Sequence, residues 1–283
     1  MAERRLKCLE RRLNSNINLR TNVVQQIVEY QQKGYAHKAT DQELMTANPA
    51  KVWYLPLGVV TNPRKPEKVR IIWDAAAKVN NISFNSMLLK GPDLLTSLPA
   101  VLSRFRQRQV AITGDIREMY HQIRIRKEDR QSQRFLWRTD PTYPPDIFIM
   151  DVATFGSTCS PSSAQYVKNA NAKEWEEAYP EASVAIVENH YVDDYLNSRD
   201  TEEEMAQLAI DVKLVHSKAG FEIRNFLSNS GVVLARVGAK CPGNRKVLTV
   251  LKEGSIERVL GIAWLLEQDI FTFTLSLSRN TGY

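Results

Sequence analysis

Asp193 and Asp194 stand side by side in an otherwise apolar stretch, with Ala185-Ile186-Val187 before them and Tyr195-Leu196 after them. Two adjacent carboxylates cannot both enter a core without partners, because burying an uncompensated charge is costly. The segment therefore reads as strand, tight turn and strand, with Tyr191-Val192-Asp193-Asp194 at the tip. Such a pair has two uses. Asp favours turns through hydrogen bonds to its own backbone, and carboxylates at an open tip can hold a divalent cation.

A third acid bears on that choice. Asp115 closes the short β-prone run Val110-Ala111-Ile112-Thr113-Gly114-Asp115, which continues as Ile116-Arg117-Glu118-Met119-Tyr120. Packing explains such an acid poorly, since ionised carboxylates are seldom buried unless paired or bound to metal. With this strand beside the hairpin, Asp115 and Asp193 are expected to face each other across a sheet. A pair of Mg²⁺ ions about 3.5–4 Å apart fits between such carboxylates, activating an attacking hydroxyl and stabilising a leaving oxygen. Mg²⁺ takes few protein carboxylates and leaves positions for water and phosphate, and Mn²⁺ accepts the same oxygen donors.

Charge is distributed unevenly. The net charge is +6, yet residues 1–138 carry 25 Lys or Arg against 12 Asp or Glu, and residues 139–283 carry 13 against 20. An N-terminal part rich in cations suits phosphates, and a later part rich in acids suits metal. For any single side chain, Arg124 or Lys127 for instance, a solvated hairpin surface is the better explanation of the charge. The three cysteines, Cys8, Cys159 and Cys241, are far apart, which fits a reducing compartment and excludes a zinc knuckle. No apolar run approaches the ~20 residues of a membrane span, and the charged N-terminus shows no secretory signal.

Periodicity supplies the elements. Val23, Val24, Ile27 and Val28 predict a helix over 22–33 that stops at Gly34, and Thr40-Asp41-Gln42-Glu43 has the spacing of a capping box. Tyr54–Val60 and Val69–Trp73 predict a β-hairpin whose tip holds Arg64, Lys65, Pro66 and Lys68. Helices are expected over 96–108, 160–179 and 201–219. Further strands are expected at 122–126 and 133–138, and near 221–226, 232–236, 247–251, 258–264 and 270–275. A metal-bearing sheet to which helices return indicates an α+β fold.

In order along the chain, five motifs resemble the fingers and palm of a reverse transcriptase, most of all those of LTR retrotransposons of the BEL/Pao type. The resemblance covers about residues 50–275. Lys68-Val69-Arg70-Ile71-Ile72-Trp73-Asp74 resembles the fingers strand that meets the incoming triphosphate. Asp115 with Tyr120 resembles the first palm motif. Phe155-Gly156-Ser157-Thr158-Cys159-Ser160-Pro161 resembles the glycine-bearing loop that opens the template-side helix. Tyr191 to Asp194 is similar to the Y-x-D-D box, and Val259-Leu260-Gly261-Ile262 to the primer grip, with Leu260 and Gly261 at its centre.

The resemblance implies an RNA-directed DNA polymerase with two Mg²⁺ ions (Mn²⁺ as a substitute) held by Asp115, Asp193, Asp194 and the Ile116 carbonyl. It implies that Arg64, Lys65, Lys68, Arg70, Tyr120, Phe155 and Gly156 bind the nucleotide, with Tyr120 excluding a ribose 2′-hydroxyl. For Arg64, Lys65 and Lys68 a solvated tip stays open as the alternative to a lid over the triphosphate. The implied fold is that of right-hand polymerase fingers and palm, the palm a mainly antiparallel sheet backed by helices, with the thumb largely absent. Expected segments are a helical lead-in over 1–50, fingers over 51–108, palm over 109–245 (with 122–150 returning to the fingers) and primer-grip strands over 246–283.

Implied partners are an RNA or DNA template, a primer strand, dNTPs and the RNase H and integrase of a retroelement polyprotein, with no membrane. The expected setting is intracellular: cytoplasm, virus-like particles or nucleus. The chain is expected to be a fragment or shortened product, weak in its grip on duplex. Two departures stand out. Phe155 replaces the glutamine of many retroviral relatives, and Phe221-Glu222-Ile223-Arg224-Asn225-Phe226 lacks the lysine that relatives often place after the glycine. A decayed or domesticated copy that binds nucleic acid without polymerising is the alternative.

Overall fold

The computed structural model describes residues 1–62, 65–239, 256–259, 262–265 and 270–272. For 62, 65–68 and the last three strands (Trp264 excepted), it describes the backbone alone. The chain forms two units, Met1–Asp93 with Glu118–Gln165, and Leu94–Arg117 with Tyr166–Tyr283. It is α+β, and its sheets are antiparallel.

In the first unit, helices Ala2–Asn14 and Ile17–Gln32 lay Leu6, Leu9, Leu13, Val23 and Ile27 into one core. The second helix ends where Gly34 takes φ +66, a conformation that costs glycine nothing. Thr40 and Glu43 close the expected capping box on helix Asp41–Met45, a device worth about 1 kcal/mol. The hairpin Leu57–Asn62/Lys65–Trp73 forms as its alternation predicts, sending Ile71 and Trp73 inward and Arg70 and Ile72 outward. Trp73 lies 5.9 Å from the Tyr30 ring and 6.2 Å from Phe135. Strand Arg134–Trp137 pairs with Asp146–Met150, which the sequence reading did not anticipate, and that strand pairs with Ala36–Lys38.

The second unit is built on a four-stranded sheet in the order Ile223–Ser228, Val110–Ile116, Asp194–Arg199, His190–Tyr191. Helix Leu98–Phe105 covers one face, where Val101, Phe105, Ala111 and Leu196 meet Trp264. Helix Glu202–Lys218 covers the other and starts with a Thr201/Glu204 capping box. Strands Ile256–Val259, Ile262–Leu265 and Ile270–Thr272 form a second sheet, joined to the core by Trp264, whose ring is 4.9 Å from Phe105.

Three expectations fail for local reasons. Ala185-Ile186-Val187 is not strand but part of helix Pro180–Glu188. Pro180 starts it, Glu181 sits in its first turn, and Ala182, Ala185 and Ile186 are buried at helical spacing. Residues 232–236 are helical too, because Ser230 caps Gly231–Arg236 by accepting from the Val233 N–H at 3.2 Å. The return strand at 122–126 is absent. Glu118 enters the left-handed region at φ +48, a 3₁₀ turn follows over Met119–Gln122, and Arg124 keeps only an isolated bridge to Val152. The helix expected over 160–179 ends at Glu174. The strand expected near 247–251 lies outside the described residues, as do Arg64, Leu260 and Gly261.

Candidate active site

Asp115 lies on the second strand of the four-stranded sheet, and the residue before it explains how closely its neighbours approach. A Cβ on Gly114 would stand 2.8 Å from an Ile223 methyl and 3.1 Å from the Phe226 ring. Glycine therefore lets strand Ile223–Ser228 close onto the Asp115 strand. On the other side, Asp115 pairs in register with Asp194, not Asp193. Asp193 belongs to the turn, and its carbonyl accepts the Ile116 N–H at 2.8 Å. The turn is tight enough to force Val192 to φ +57. For a β-branched residue that conformation costs about 1–3 kcal/mol, a strain that clusters at functional sites.

The three carboxylates feel one another. The Asp194 carboxyl is raised to about 6, first by burial and then by the charges of Asp193 and Asp115. Asp115 Oδ1 accepts from Asn225 Nδ2 at 2.6 Å, and Oδ2 lies 3.4 Å from Arg224 Nε. Arg224 is the strand neighbour of Asp115, and a bulge follows it. Among the described residues, no three His, Cys, Asp or Glu side chains converge closely enough to grip an ion as they stand. The donor chemistry does fit a hard divalent cation. Burial, and then the charges of Asp193 and Asp115, raise the cost of ionising Asp194, which a cation relieves.

The nucleotide-binding candidates lie in the first unit, each group assembled within its own unit. Arg70 is exposed opposite Val60 on the hairpin, and only the backbone of Lys65 and Lys68 is described. Tyr120, half-buried, meets the Phe155 ring edge-on at 4.9 Å, and Phe155 meets His121 at 5.4 Å. His121 is held neutral, its pKa lowered to about 4 by burial among Tyr30, Tyr35 and Trp73. Phe155 thus has ring partners where a glutamine would offer hydrogen bonds. Gly156 sits at φ +108, and a Cβ there would come within 2.3 Å of the Trp73 carbonyl. The close approach that requires this glycine is therefore to the Trp73 backbone. Asn85 fastens the loop, donating to the Gly156 carbonyl and accepting the Thr158 N–H, both at 3.0 Å.

Sequence reasoning missed Asn85, for which it offers no signal, and Asn225, whose signal was an Asn inside a strand pattern. It also missed a buried basic cluster in the second unit. Lys168 Nζ donates to the Ile186 carbonyl at 2.6 Å, and the Nε2 atoms of His190 and His216 lie 3.2 Å apart. Burial lowers Lys168 to about 7 and His216 to about 3, and it holds His190 well below its usual value.

An antiparallel sheet with three acids at one open end, set in an α+β chain, offers oxygen donors of the kind a hard divalent cation takes. The comparisons identify the family. Residues 64–234 match the reverse transcriptase (RNA-dependent DNA polymerase) family, and the chain belongs to it. Among solved structures it is similar to a foamy viral protease-reverse transcriptase in complex with double-stranded DNA, at 18% identity and a TM-score of 0.51. That match covers 71% of this chain and 30% of the other. A prototype foamy virus protease-reverse transcriptase gives 15% and 0.54, over 74% and 24% of the two chains. A foamy viral protease-reverse transcriptase in complex with RNA/DNA hybrid gives 17% and 0.51, over 71% and 23%. The chain thus spans less than a third of the length of these structures. No curated protein sequence matches it.

Proposed function

We propose that this chain is the fingers and palm of a polymerase that copies RNA or DNA templates into DNA during replication of a BEL/Pao-type retrotransposon. The observation that carries the reading is the meeting of Asp115 and Asp194 in register, with Asp193 in the turn between their strands, in a chain that belongs to the reverse transcriptase family. Two Mg²⁺ ions bound there would lower the pKa of the primer 3′-hydroxyl and neutralise charge on the triphosphate.

The protein's own part is to hold and orient. Asp115, Asp193 and the Ile116 carbonyl would hold the ions, and Asp194 would add a carboxylate, since a carboxyl raised only to about 6 is largely ionised at neutral pH. Arg70, free of the core on its hairpin face, offers a planar fork to phosphate oxygens. Tyr120, braced by Phe155, stands as the wall against a ribose 2′-hydroxyl. Nucleic acid held through phosphates by the basic first half is bound without sequence preference and with steep salt dependence. The foamy viral structures were solved with duplex DNA and an RNA/DNA hybrid, ligands of the kind proposed here. The setting would be cytoplasm, virus-like particles or nucleus. Among the described residues no helix is long and apolar enough to cross a membrane.

Primer extension on RNA and DNA templates, with dNTPs or rNTPs, tests the reading. Wild type should extend with dNTPs alone, Asp193→Asn should not, and Tyr120→Ala should admit rNTPs. If wild type and Asp193→Asn bind duplex equally and neither extends, the chain is a nucleic-acid-binding remnant and the polymerase reading is wrong.

A further inference from the structure

We propose that Asn225 is the positioning residue of Asp115, fixing its carboxylate by a hydrogen bond from the side-chain amide. The proposal rests on the polymerase reading of the three acids. Asn225 lies on the edge strand Ile223–Ser228, one residue past the strand neighbour of Asp115. On a regular strand, residues 224 and 225 would point to opposite faces, so only one of them could address Asp115. The register shift between Arg224 and Leu227 removes that restriction. Asn225 enters the left-handed region at φ +53, which Asn tolerates better than other side chains with a Cβ. Its amide then turns onto Asp115 Oδ1 at 2.6 Å, while Arg224 Nε approaches Oδ2 at 3.4 Å.

An ionised carboxylate has about four lone-pair sites, so one short amide bond fixes its plane and leaves the others for a cation. Ligating carboxylates are commonly oriented by such outer partners, whose loss lowers metal affinity about 10–100-fold. Asn serves here where a cation would not. It donates without adding positive charge beside the ions, and Arg224 already brings one guanidinium near.

The experiment compares wild type, Asn225→Gly, Asn225→Asp and Asp193→Asn. Gly keeps the left-handed backbone and removes only the amide, whereas Asp keeps the shape and turns the donor into an acceptor. Mn²⁺ alone is titrated and free ion followed by electron paramagnetic resonance. The Mg²⁺ activation constant for primer extension and the thermal midpoint are measured alongside. Expected are Mn²⁺ binding weakened about 10–100-fold in Asn225→Gly and further in Asn225→Asp. The activation constant should rise in parallel, while the KM for dNTP and the thermal midpoint stay close to wild type. If Asn225→Gly binds Mn²⁺ like wild type while Asp193→Asn binds none, the positioning role is overturned and the polymerase site stands. If wild type and Asp193→Asn bind alike, the acids do not hold the ion, and both readings fall together.

Discussion

The hairpin around Tyr191 carries two polar clusters on opposite faces of one sheet, and they meet the cost of charge in opposite ways. Asp194 shares a face with Tyr191 and Asp115, its register partners, at the open end of the sheet. His190 pairs with Tyr195 on the other face, buried against His216, with Lys168 close enough to lower its pKa. The acids stay partly exposed, and burial first, then the charges of Asp193 and Asp115, raise the Asp194 carboxyl to about 6. The bases are sealed in and are pushed down, Lys168 to about 7 and His216 to about 3. A cluster that bears charge at neutral pH needs a counter-ion to come and go. One that sheds its charge can be used as packing. The contrast supports the proposed reading of the acids as site and the bases as scaffold.

The largest expected effect tests the acid face. Asp115→Asn and Asp193→Asn keep shape and remove a charge each, so primer extension should fall about a thousandfold or more, as expected when a metal site worth several kcal/mol is lost. Circular dichroism and thermal midpoint should change little. Loss of fold in either variant would mean that these acids hold the sheet together, and the contrast between the faces would break.

A smaller effect is expected on the basic face, in stability and not in chemistry. A lysine that titrates near 7 when folded and near 10.5 when unfolded binds fewer protons in the folded state between those values. Wild-type stability should therefore fall as pH drops from 10.5 to 7, and this contribution should level off below 7. The buried histidines act alike at lower pH: stability is lost below 6.5 as the unfolded rings protonate, down to about 3 for His216. Lys168→Met keeps the volume, removes the desolvation cost and gives up one hydrogen bond to Ile186. At pH 6 it should raise stability by about 1–4 kcal/mol, as replacement of buried charge by apolar packing can, and flatten the slope between pH 7 and 10.5. Urea unfolding across that range measures both.

The two faces were not equally legible in the sequence. Asp115 and the Asp193-Asp194 turn announced themselves because an acid in an apolar β-prone run is costly to explain otherwise. Their register was not announced: the spacing suggested Asp193 opposite Asp115, and the turn geometry at Val192 shifts that place to Asp194. The basic face was silent, since Lys168, His190 and His216 come from separate elements and only packing makes them neighbours. The Ala185-Ile186-Val187 run was misjudged as strand because a short apolar run fits strand and helix alike until its capping is known. Asn225 stayed hidden for a similar reason, because a bulge is fixed by the partner strand.

The smallest effect sharpens the comparison most, because it puts the two faces under opposite pH responses. Asp194 titrates near 6 when folded and near 3.8 when unfolded, so the folded state binds more protons between those values. Its contribution to stability is present below 3.8 and lost as pH rises through 6, the reverse of the histidines behind it. Asp194→Asn should therefore be more stable than wild type at pH 7.5, by about 1 kcal/mol once solvent screening of this partly exposed group is allowed for. The gain should shrink as pH falls below 6 and vanish below 3.8, where the wild-type carboxyl becomes protonated in both states. Added Mg²⁺ should narrow the gap at pH 7.5 by stabilising the wild type, since an ion that binds only the folded state raises its stability. A gain that persists unchanged to pH 4 would show that the substitution acts through packing, and the acid face would then need no cation to explain it.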